Sequence, residues 1–269
     1  MICRAKVNLT LHVGAAIPSG PQAGYHPVES LVVFADFGDA LTFEKADTTS
    51  LSVEGPFGHR LDAGADNLIL KTMALCAAPP QRVCLMKNLP VSAGLGGGSA
   101  NAAAILRRFD SERGVHDASI GADVPVCRLS RTAMMEGIGE HVTPLPGLGQ
   151  VSAILVNPGV PVSTATIFSR FDAQNHSTRS AKTAQTGSLL TRALSGGNDL
   201  QSTAIACTPV IEDVIQSVER QPGCQLARMS GSGASVFGLF DHHEAAQSAA
   251  AALTARGWWA VATRLGDPS

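Results

Sequence analysis

A glycine-rich segment, NLPVSAGLGGGSANAAAILRRF at residues 88–109, has the residue types and spacing that can hold an anion. It follows a strand-like pattern and leads into an alanine-rich stretch that predicts a helix from about Ser99. Four glycines lie within five residues, and because they lack a Cβ, backbone N–H groups there can approach a ligand closely. The unpaired N–H groups and the positive dipole end of the helix point to the same place. The segment therefore predicts a phosphate site.

The glycine-rich segment differs from two familiar phosphate loops. A Walker A loop ends in Gly-Lys-Ser/Thr, whereas Gly98 is followed here by Ser99 and Ala100. A dinucleotide fingerprint requires a third glycine where Ser99 stands, and it belongs to the first strand of a βαβ unit. An alternative stays open: the glycines could only allow a strand and a helix to pack tightly.

Two charged residues outside this segment are also candidate site residues. Lys6 lies in an otherwise apolar strand pattern, RAKVNLTLHV. Strand interiors disfavour an unpaired ammonium, so Lys6 is expected to face a pocket or a carboxylate. Asp123 precedes a Val-Pro pair, where an aspartate is usually a turn or cap residue.

The elements that must position these residues suggest an α+β chain. Strand patterns occur at 4–13 and 28–37, and LTFEKA and LSVEG continue the β-rich opening with turn residues between them. Residues 66–78 have apolar spacing typical of a helix, with Asp66 as its cap. The second half begins with a strand at 151–159 and alternates strands and helices, as in a split βαβ layer.

The composition loosens near PLPGLGQ, and we place a domain boundary there. The predicted domains are an N-terminal one at 1–148 and a C-terminal one at 149–269. A Ser/Thr-rich stretch, DAQNHSTRSAKTAQTGS, is expected to be a mobile loop or mixed loop and helix. Whether the 174–197 loop closes over a substrate is left open.

Composition excludes several classes of function. The chain has 269 residues, 45% of them hydrophobic, and a formal net charge of -2. The charge argues against nucleic acid or an anionic membrane as the main partner. No apolar run approaches the roughly 20 residues that a membrane span needs. The six cysteines form no CxxC pair, so buried free thiols and a cytoplasmic location are expected.

Several further segments, in order along the chain, make the sequence resemble one family. The glycine-rich segment is similar to the ATP-binding motif of the GHMP small-molecule kinases. AKVNL, GYH, GADVP, EGIGE and MSGSGA match the member that phosphorylates a CDP-linked methylerythritol in non-mevalonate isoprenoid synthesis; these segments lie at 5–9, 24–26, 121–125, 136–140 and 229–234.

The resemblance implies a fold and an activity. It implies two domains, an N-terminal ribosomal-protein-S5-like domain 2 fold and a C-terminal ferredoxin-like domain. It also implies transfer of the ATP γ-phosphoryl group to the tertiary 2-hydroxyl of the polyol. Mg²⁺ is expected to enter with ATP, and the sequence does not identify the residues that bind it. The oligomeric state is left open between monomer and homodimer.

The resemblance also assigns site residues. Asp123 corresponds to the residue that takes the hydroxyl proton, and Lys6 to the one that offsets charge; we therefore expect the two side chains within salt-bridge reach. The implied ATP-binding residues are Asn67, Lys87, Pro90, Val91, Ser92, Ala93, Gly94, Leu95, Gly96, Gly97, Gly98, Ser99 and Ala100. The implied substrate contacts are Asn8, Tyr25, His26, Thr164 and Phe168, with Tyr25 and Phe168 stacking on the two faces of the cytidine base and His26 hydrogen-bonding to it.

Some of these assignments have simpler alternatives. A lone loop tyrosine such as Tyr25 is usually a half-buried surface residue. Asn67 could be only a helix-start residue, and Lys87 only a solvated charge at a strand end. The chain also departs from its relatives: Arg4 stands where they commonly have proline, and the connection at 107–120 is short.

Three other functions stay open. The first is another GHMP activity, of the homoserine or mevalonate type, which the GYH and AKVN segments disfavour. A non-catalytic nucleotide-binding paralogue would lack the lysine or the aspartate, and both are present. A dinucleotide-dependent oxidoreductase needs an acidic residue about 20 positions after the loop at a strand end; the candidate considered, Asp123, lies in GADVP, which is typical of a turn rather than a strand end.

Overall fold

The computed structural model describes residues 1–110, 117–174 and 186–267. Within these ranges the strands are β1 (Ile2–Asn8), β2 (His12–Val13), β3 (Val28–Lys45), β4 (Ser50–Glu54), β5 (Gln81–Met86), β6 (Ala133–Gly137), β7 (His141–Pro144), β8 (Gln150–Asn157), β9 (Cys224–Met229), β10 (Val236–Phe240) and β11 (Trp259–Gly266). The helices are α1 (Leu68–Leu75), α2 (Gly97–Phe109), α3 (Asp117–Ile120), α4 (Val124–Leu129), α5 (Thr164–Ala173), α6 (Leu189–Ser195), α7 (Gln201–Cys207), α8 (Val210–Glu219) and α9 (His243–Ala255).

The strands form one connected sheet in the order β4-β5-β3-β11-β8-β10-β9. Strands β1, β2 and β6 also pair with the long strand β3, and β7 pairs with β6. All of these pairs are antiparallel except β4 with β5. A sheet with helices from both halves of the chain confirms the predicted α+β class.

Strand β3 differs from the sequence-based prediction. It runs unbroken for 18 residues from Val28 to Lys45, so the separate strand patterns at 28–37 and in LTFEKA belong to one strand. Gly38 lets β1 approach closely, because a Cβ there would collide with the Cys3 main chain. Asp39, the next residue of β3, accepts hydrogen bonds inside the protein from the Lys87 side chain and the Asn88 amide. The predicted strand at 4–13 is in turn split into β1 and β2.

Helix α1 begins one residue later than expected. Asn67, rather than Asp66, is its N-cap, and the Asn67 side chain accepts a hydrogen bond from the Ile69 amide at 3.0 Å. Asp66 forms an ion pair with Lys71 at 2.9 Å instead. The cap position therefore shifts because the two neighbouring polar residues take different partners.

The apolar core joins the two halves of the chain. One cluster of buried residues contains Leu31 and Val33 from β3 together with Leu155 from β8 and Phe237 from β10. Two further clusters lie under the N-terminal and C-terminal helices. The boundary near residue 148 stays a prediction, and it falls between β7 and β8 in a shared sheet.

The Ser/Thr-rich stretch lies partly outside the described residues, at 175–185, as does part of the short 107–120 connection, at 111–116. In the parts of the chain that are described, no helix is long and apolar enough to cross a bilayer. The cysteines of these parts carry free thiols, of which Cys3 and Cys127 are buried.

Candidate active site

A cavity of about 1280 Å³ lies where β1, the glycine-rich segment and α5 meet. Its walls include nearly all of the residues that the resemblance assigned. These are Lys6, Asn8, Tyr25, His26, Asn67, Lys87, Pro90, Val91, Ser92, Ala93, Gly94, Leu95, Gly96, Gly97, Gly98, Ser99, Asp123, Thr164 and Phe168. The cavity is therefore lined by residues of both β1 and α5, which are far apart in the sequence.

The glycine-rich segment forms one wall and ends at the start of α2. Gly96 precedes the helix in the left-handed conformation, with φ of 63°, and no side chain caps the helix from this position. A Cβ on Gly96 would lie 3.1 Å from the Lys6 Cβ, so the segment lies directly against β1. The Lys6 amide donates to the Leu95 carbonyl at 2.9 Å. The helix N-terminus therefore faces the cavity beside β1, where an anion is favoured.

Ala100 is the assigned residue that does not line the cavity. Its side chain is buried in the core under α2, and its amide donates to the Gly96 carbonyl at 2.8 Å. That N–H group is thus used within the helix. The cradle for an anion is formed by the residues before Ala100.

Lys6 and Asp123 are in contact, as expected. The Lys6 Nζ lies 3.0 Å from the Asp123 Oδ2 and 2.8 Å from the Asn8 Oδ1. The Asn8 amide group in turn donates to the Ser30 Oγ at 2.7 Å. The Lys6 side chain is 5% exposed and that of Asp123 is 31% exposed. A buried cation thus holds a carboxylate that stays accessible from the cavity.

The position of Asp123 depends on the elements around it. GADVP is the start of α4 rather than a simple turn, with Asp123 at the N-cap and Pro125 in the first turn. Gly139 of the EGIGE segment packs against the Ala122 carbonyl, where a Cβ would collide, and its φ is 112°. The close packing of these two segments fixes the main chain next to the Asp123 carboxylate.

Lys87 is buried, so the alternative that it is a solvated charge is wrong. Its side chain is 4% exposed and lies 2.6 Å from the fully buried Asp39 carboxylate. Burial lowers the pKa of the Lys87 ammonium, while Asp39 opposes that shift. A Cβ on Gly97 would lie 3.0 Å from the Lys87 Nζ, so the pair lies directly behind the glycine cradle.

Asp39 was missed by sequence reasoning, although it connects three parts of the site. Its Oδ1 accepts from the Asn88 and Leu89 amides, both at 2.9 Å, and its Oδ2 accepts from the Asn101 side chain at 3.2 Å. The available signal was an acidic residue in the short gap between two strand patterns, since a carboxylate buried there would require partners.

Asn101 in α2 was also missed. Its amide nitrogen must face Asp39, since a carboxylate only accepts hydrogen bonds. Its Oδ1 is buried without a hydrogen-bond partner among the described residues. Asn101 is itself one of the residues that line the cavity.

The opposite end of the cavity carries the aromatic residues. Tyr25 is 56% exposed, and the rings of His26 and Phe168 lie 5.0 Å apart at 35°. The His26 Nδ1 lies 2.9 Å from the Gly14 carbonyl oxygen, so it carries a proton, and the Nε2 lies 3.3 Å from the Asp172 Oδ2. A hydrogen bond between the His26 Nε2 and a cytidine base would therefore replace the contact of Nε2 with Asp172.

Asn67 lines the cavity, but its side chain is already committed. Its Nδ2 donates to the Asp62 carbonyl at 2.7 Å, in addition to its role as the α1 cap. The helix-start role of Asn67 is therefore observed, and its contact with ATP stays a prediction. Among the described residues, no three His, Cys, Asp or Glu side chains are grouped as a metal site would need.

Comparison with known proteins agrees with this geometry. The family model described as GHMP kinases C terminal matches residues 182–257. A 4-diphosphocytidyl-2-C-methyl-D-erythritol kinase from Paracoccus denitrificans is 44% identical over 97% of this chain and 94% of its own length. The protein of the same name from Roseobacter denitrificans is 41% identical over 98% of this chain and 92% of its own length.

A solved structure is similar over the same extent. The crystal structure of a 4-(cytidine 5'-diphospho)-2C-methyl-D-erythritol kinase superposes with a TM-score of 0.82 at 29% identity, and the match covers 99% of both chains. Since relatives more than 40% identical match almost the whole chain, it is an ATP-dependent small-molecule kinase of the GHMP type and belongs to the 4-diphosphocytidyl-2-C-methyl-D-erythritol kinase family.

Proposed function

We propose that the chain transfers the γ-phosphoryl group of ATP to the 2-hydroxyl of 4-diphosphocytidyl-2-C-methyl-D-erythritol, giving the 2-phosphate and ADP. The observation that carries this proposal is the contact of Lys6 with Asp123 beside the glycine cradle. Phosphoryl transfer requires held phosphates, offset charge and an acceptor oxygen in line, and little covalent help from the protein. The pair and the cradle together can meet these needs.

Asp123 is the proposed proton acceptor. As the acceptor oxygen bonds to the γ-phosphorus, the bond from that phosphorus to the β–γ bridging oxygen breaks and ADP leaves. The hydroxyl proton passes to the Asp123 carboxylate, which is partly exposed to the cavity. The adjacent Lys6 ammonium offsets negative charge that develops on the transferring group.

The glycine cradle is the proposed phosphate site. The segment 94–99 lines the cavity at the N-terminus of α2, where free N–H groups and the helix dipole favour negative charge. Lys87 adds a positive charge behind Gly97, although its pair with Asp39 offsets that charge. We therefore assign Lys87 to the support of the cradle.

The aromatic end is the proposed site of the cytidine base. Tyr25 and Phe168 offer ring surfaces on the cavity wall, and stacking of a base on an aromatic ring contributes about 1–3 kcal/mol. Asn8 and Thr164 are the proposed polar contacts to the rest of the acceptor. Both side chains line the same cavity.

Mg²⁺ is proposed to enter with ATP. When bound, the ion neutralises phosphate charge. The described residues offer no carboxylate cluster, which fits an ion held mostly by phosphate oxygens and water. The Ser99 hydroxyl and the Asp123 carboxylate line the cavity and are two of the protein oxygens that could complete its coordination.

An ATP-consumption assay with three acceptors tests the proposal. The CDP-linked methylerythritol, homoserine and mevalonate are supplied in parallel, with ATP and Mg²⁺ constant. We expect turnover with the first acceptor alone. Turnover with homoserine or mevalonate instead would support the alternative GHMP activities, and nucleotide binding without turnover on any acceptor would support a non-catalytic paralogue.

A further inference from the structure

The turn between β9 and β10, residues 230–235, touches both ends of the cavity. Its first hydroxyl, on Ser230, contacts the glycine-rich segment and β1. A second hydroxyl, on Ser232, contacts the start of α5. The turn therefore links the proposed nucleotide side to the proposed acceptor side, and it holds no residue that we have assigned to the reaction.

Ser230 joins two main-chain segments on the nucleotide side. Its Oγ accepts a hydrogen bond from the main-chain N–H of Asn8 at 3.2 Å and donates one to the Gly94 carbonyl at 3.0 Å. The residue is fully buried, so water cannot replace these bonds. Its hydroxyl thus fixes the glycine segment relative to the strand that carries Lys6.

The fit between Gly94 and this turn is tight. A Cβ on Gly94 would collide with the Ser230 carbonyl oxygen, and the φ of Gly94 is 72°. The Ser235 amide donates to the Ala93 carbonyl at 3.2 Å. The turn and the glycine-rich segment are therefore held together by main-chain contacts as well.

Ser232 acts on the acceptor side. Its Oγ lies 2.8 Å from the Oγ1 of Thr164, the first residue of α5. Both residues line the cavity, and Ser232 is 7% exposed. Phe168 lies one turn further along α5, so this hydrogen bond connects the turn to the helix that carries the proposed base contact.

The turn itself is braced from outside. The Asn198 Nδ2 donates to the Met229 and Gly231 carbonyls, both at 2.8 Å. With its backbone held in this way, the turn can hold Ser230 and Ser232 in fixed directions. The Ser230 hydroxyl bonds to β1 and the glycine-rich segment, and the Ser232 hydroxyl bonds to α5.

We propose that Ser230 and Ser232 are positioning residues that divide the two substrates between them, Ser230 aligning ATP through Gly94 and Ser232 aligning the acceptor through Thr164. The inference rests on the proposed function, because it assigns one hydroxyl to each of its two substrates. It predicts a separation of kinetic effects that a purely structural role would not give.

The expected effects follow from the bonds that each variant loses. Ser230→Ala leaves the Asn8 amide and the Gly94 carbonyl buried and unpaired, and we expect the KM for ATP to rise about tenfold, with a lower kcat. The Asn8 side chain keeps its bonds to Lys6 and Ser30, so the KM for the acceptor should change less than about twofold. Ser232→Ala should raise the acceptor KM about fivefold and leave the KM for ATP unchanged.

The experiment measures both KM values for each variant of the full chain. Ser235→Ala is the matched control, since its hydroxyl is equally buried and accepts from the Asn157 side chain, at 2.9 Å, rather than from the glycine-rich segment or α5. Its two KM values should stay at those of the unmodified chain. Binding of a fluorescent ATP analogue, measured without acceptor, should weaken in Ser230→Ala and not in Ser232→Ala.

Two further variants make the test decisive. Ser230→Cys retains a weak donor and acceptor and supplies the same comparison if the alanine variant does not fold. Adding Ser232→Ala to Thr164→Ala should raise the acceptor KM no further, because both act through one hydrogen bond. Additive effects in this pair would overturn the role of Ser232.

The outcomes separate this inference from the proposed function. If the unmodified chain phosphorylates the CDP-linked acceptor but both serine variants raise the two KM values equally, the division of roles is wrong. If the unmodified chain does not use that acceptor, the proposed function fails. The ATP-analogue titration then still tests the Ser230 arm on its own.

Discussion

The Nζ of Lys6 lies 3.0 Å from the Oδ2 of Asp123, and the cation is almost fully buried while the carboxylate is about one-third exposed. This asymmetry suits a pair in which only one member meets a substrate. Lys6 is further held by Asn8 at 2.8 Å. The carboxylate therefore has a fixed position and an accessible face.

Asp123→Asn should lower kcat by roughly 10²–10⁴-fold, because the variant keeps the shape of the side chain but cannot take a proton. Steady-state kinetics with the CDP-linked acceptor measure the effect, and both KM values should change little. Asp36→Asn is the control, since Asp36 is an accessible carboxylate paired with Arg4 at 3.2 Å. Undiminished turnover in the Asp123 variant would contradict the assigned role.

Gly98→Ala tests the close approach of a phosphate to the cradle. The nearest atom to an added Cβ is the Leu68 Cδ2 at 3.9 Å, so the folded chain can accept the methyl group. We expect an unchanged thermal midpoint and a KM for ATP raised several-fold, since the methyl would stand between ATP and the helix N-terminus. A variant with normal ATP kinetics would show that phosphates bind elsewhere.

Tyr25→Ala should raise the acceptor KM about 5- to 150-fold, in line with the loss of one base-stacking contact. The KM for ATP should stay constant, and stability should change little because Tyr25 is 56% exposed. Tyr25→Phe, which keeps the ring, is the control. Equal changes in the two KM values would rule out the stacking role.

Lys87→Met should destabilise the fold by about 3–5 kcal/mol, because it leaves the Asp39 carboxylate buried without its cation. Urea unfolding followed by circular dichroism measures the change. Lys71→Met is the control: its pair with Asp66 is at the surface, with side-chain exposures of 57% and 97%, and it should cost less than about 0.5 kcal/mol. Equal midpoints for both variants would contradict the structural importance of the buried pair.

Alkaline pH should destabilise the fold through Cys3. Burial raises the pKa of the Cys3 thiol from 9.0 to about 12, so the native state retains a proton that the unfolded chain loses between these values. The free energy of unfolding therefore falls as pH rises above 9.0. Cys3→Ala should reduce this slope in urea titrations at several pH values, and an unchanged slope would show that other groups cause it.

Part of the site could be predicted from sequence because individual residues did not fit the pattern of the segment around them. An ammonium in an apolar strand required a partner, and Lys6 has Asp123. Glycines before a helix start predicted the cradle, and α2 begins at Gly97. These signals are local, since each follows from one residue and its immediate neighbours.

Other features depend on contacts between distant segments. Asp39 was not identified as a site residue, because its partners are Lys87 and the Asn88 and Leu89 amides, which lie about 50 residues away in the sequence. The unbroken course of β3 likewise depends on the close approach of β1 at Gly38. Local pattern cannot supply either, since both require the tertiary arrangement of strands.

Strand β11 inserts between β3 and β8, pairing with β8 along its length and with β3 at Leu265 and Ala35. Arg4 strengthens this seam by donating to the Gly266 carbonyl at 3.0 Å. If the chain were divided near residue 148, each of the two fragments would therefore expose a strand edge that is paired in the intact protein. Each fragment would recover the lost strand contacts only by pairing with the other, as β11 and β3 do in the intact chain.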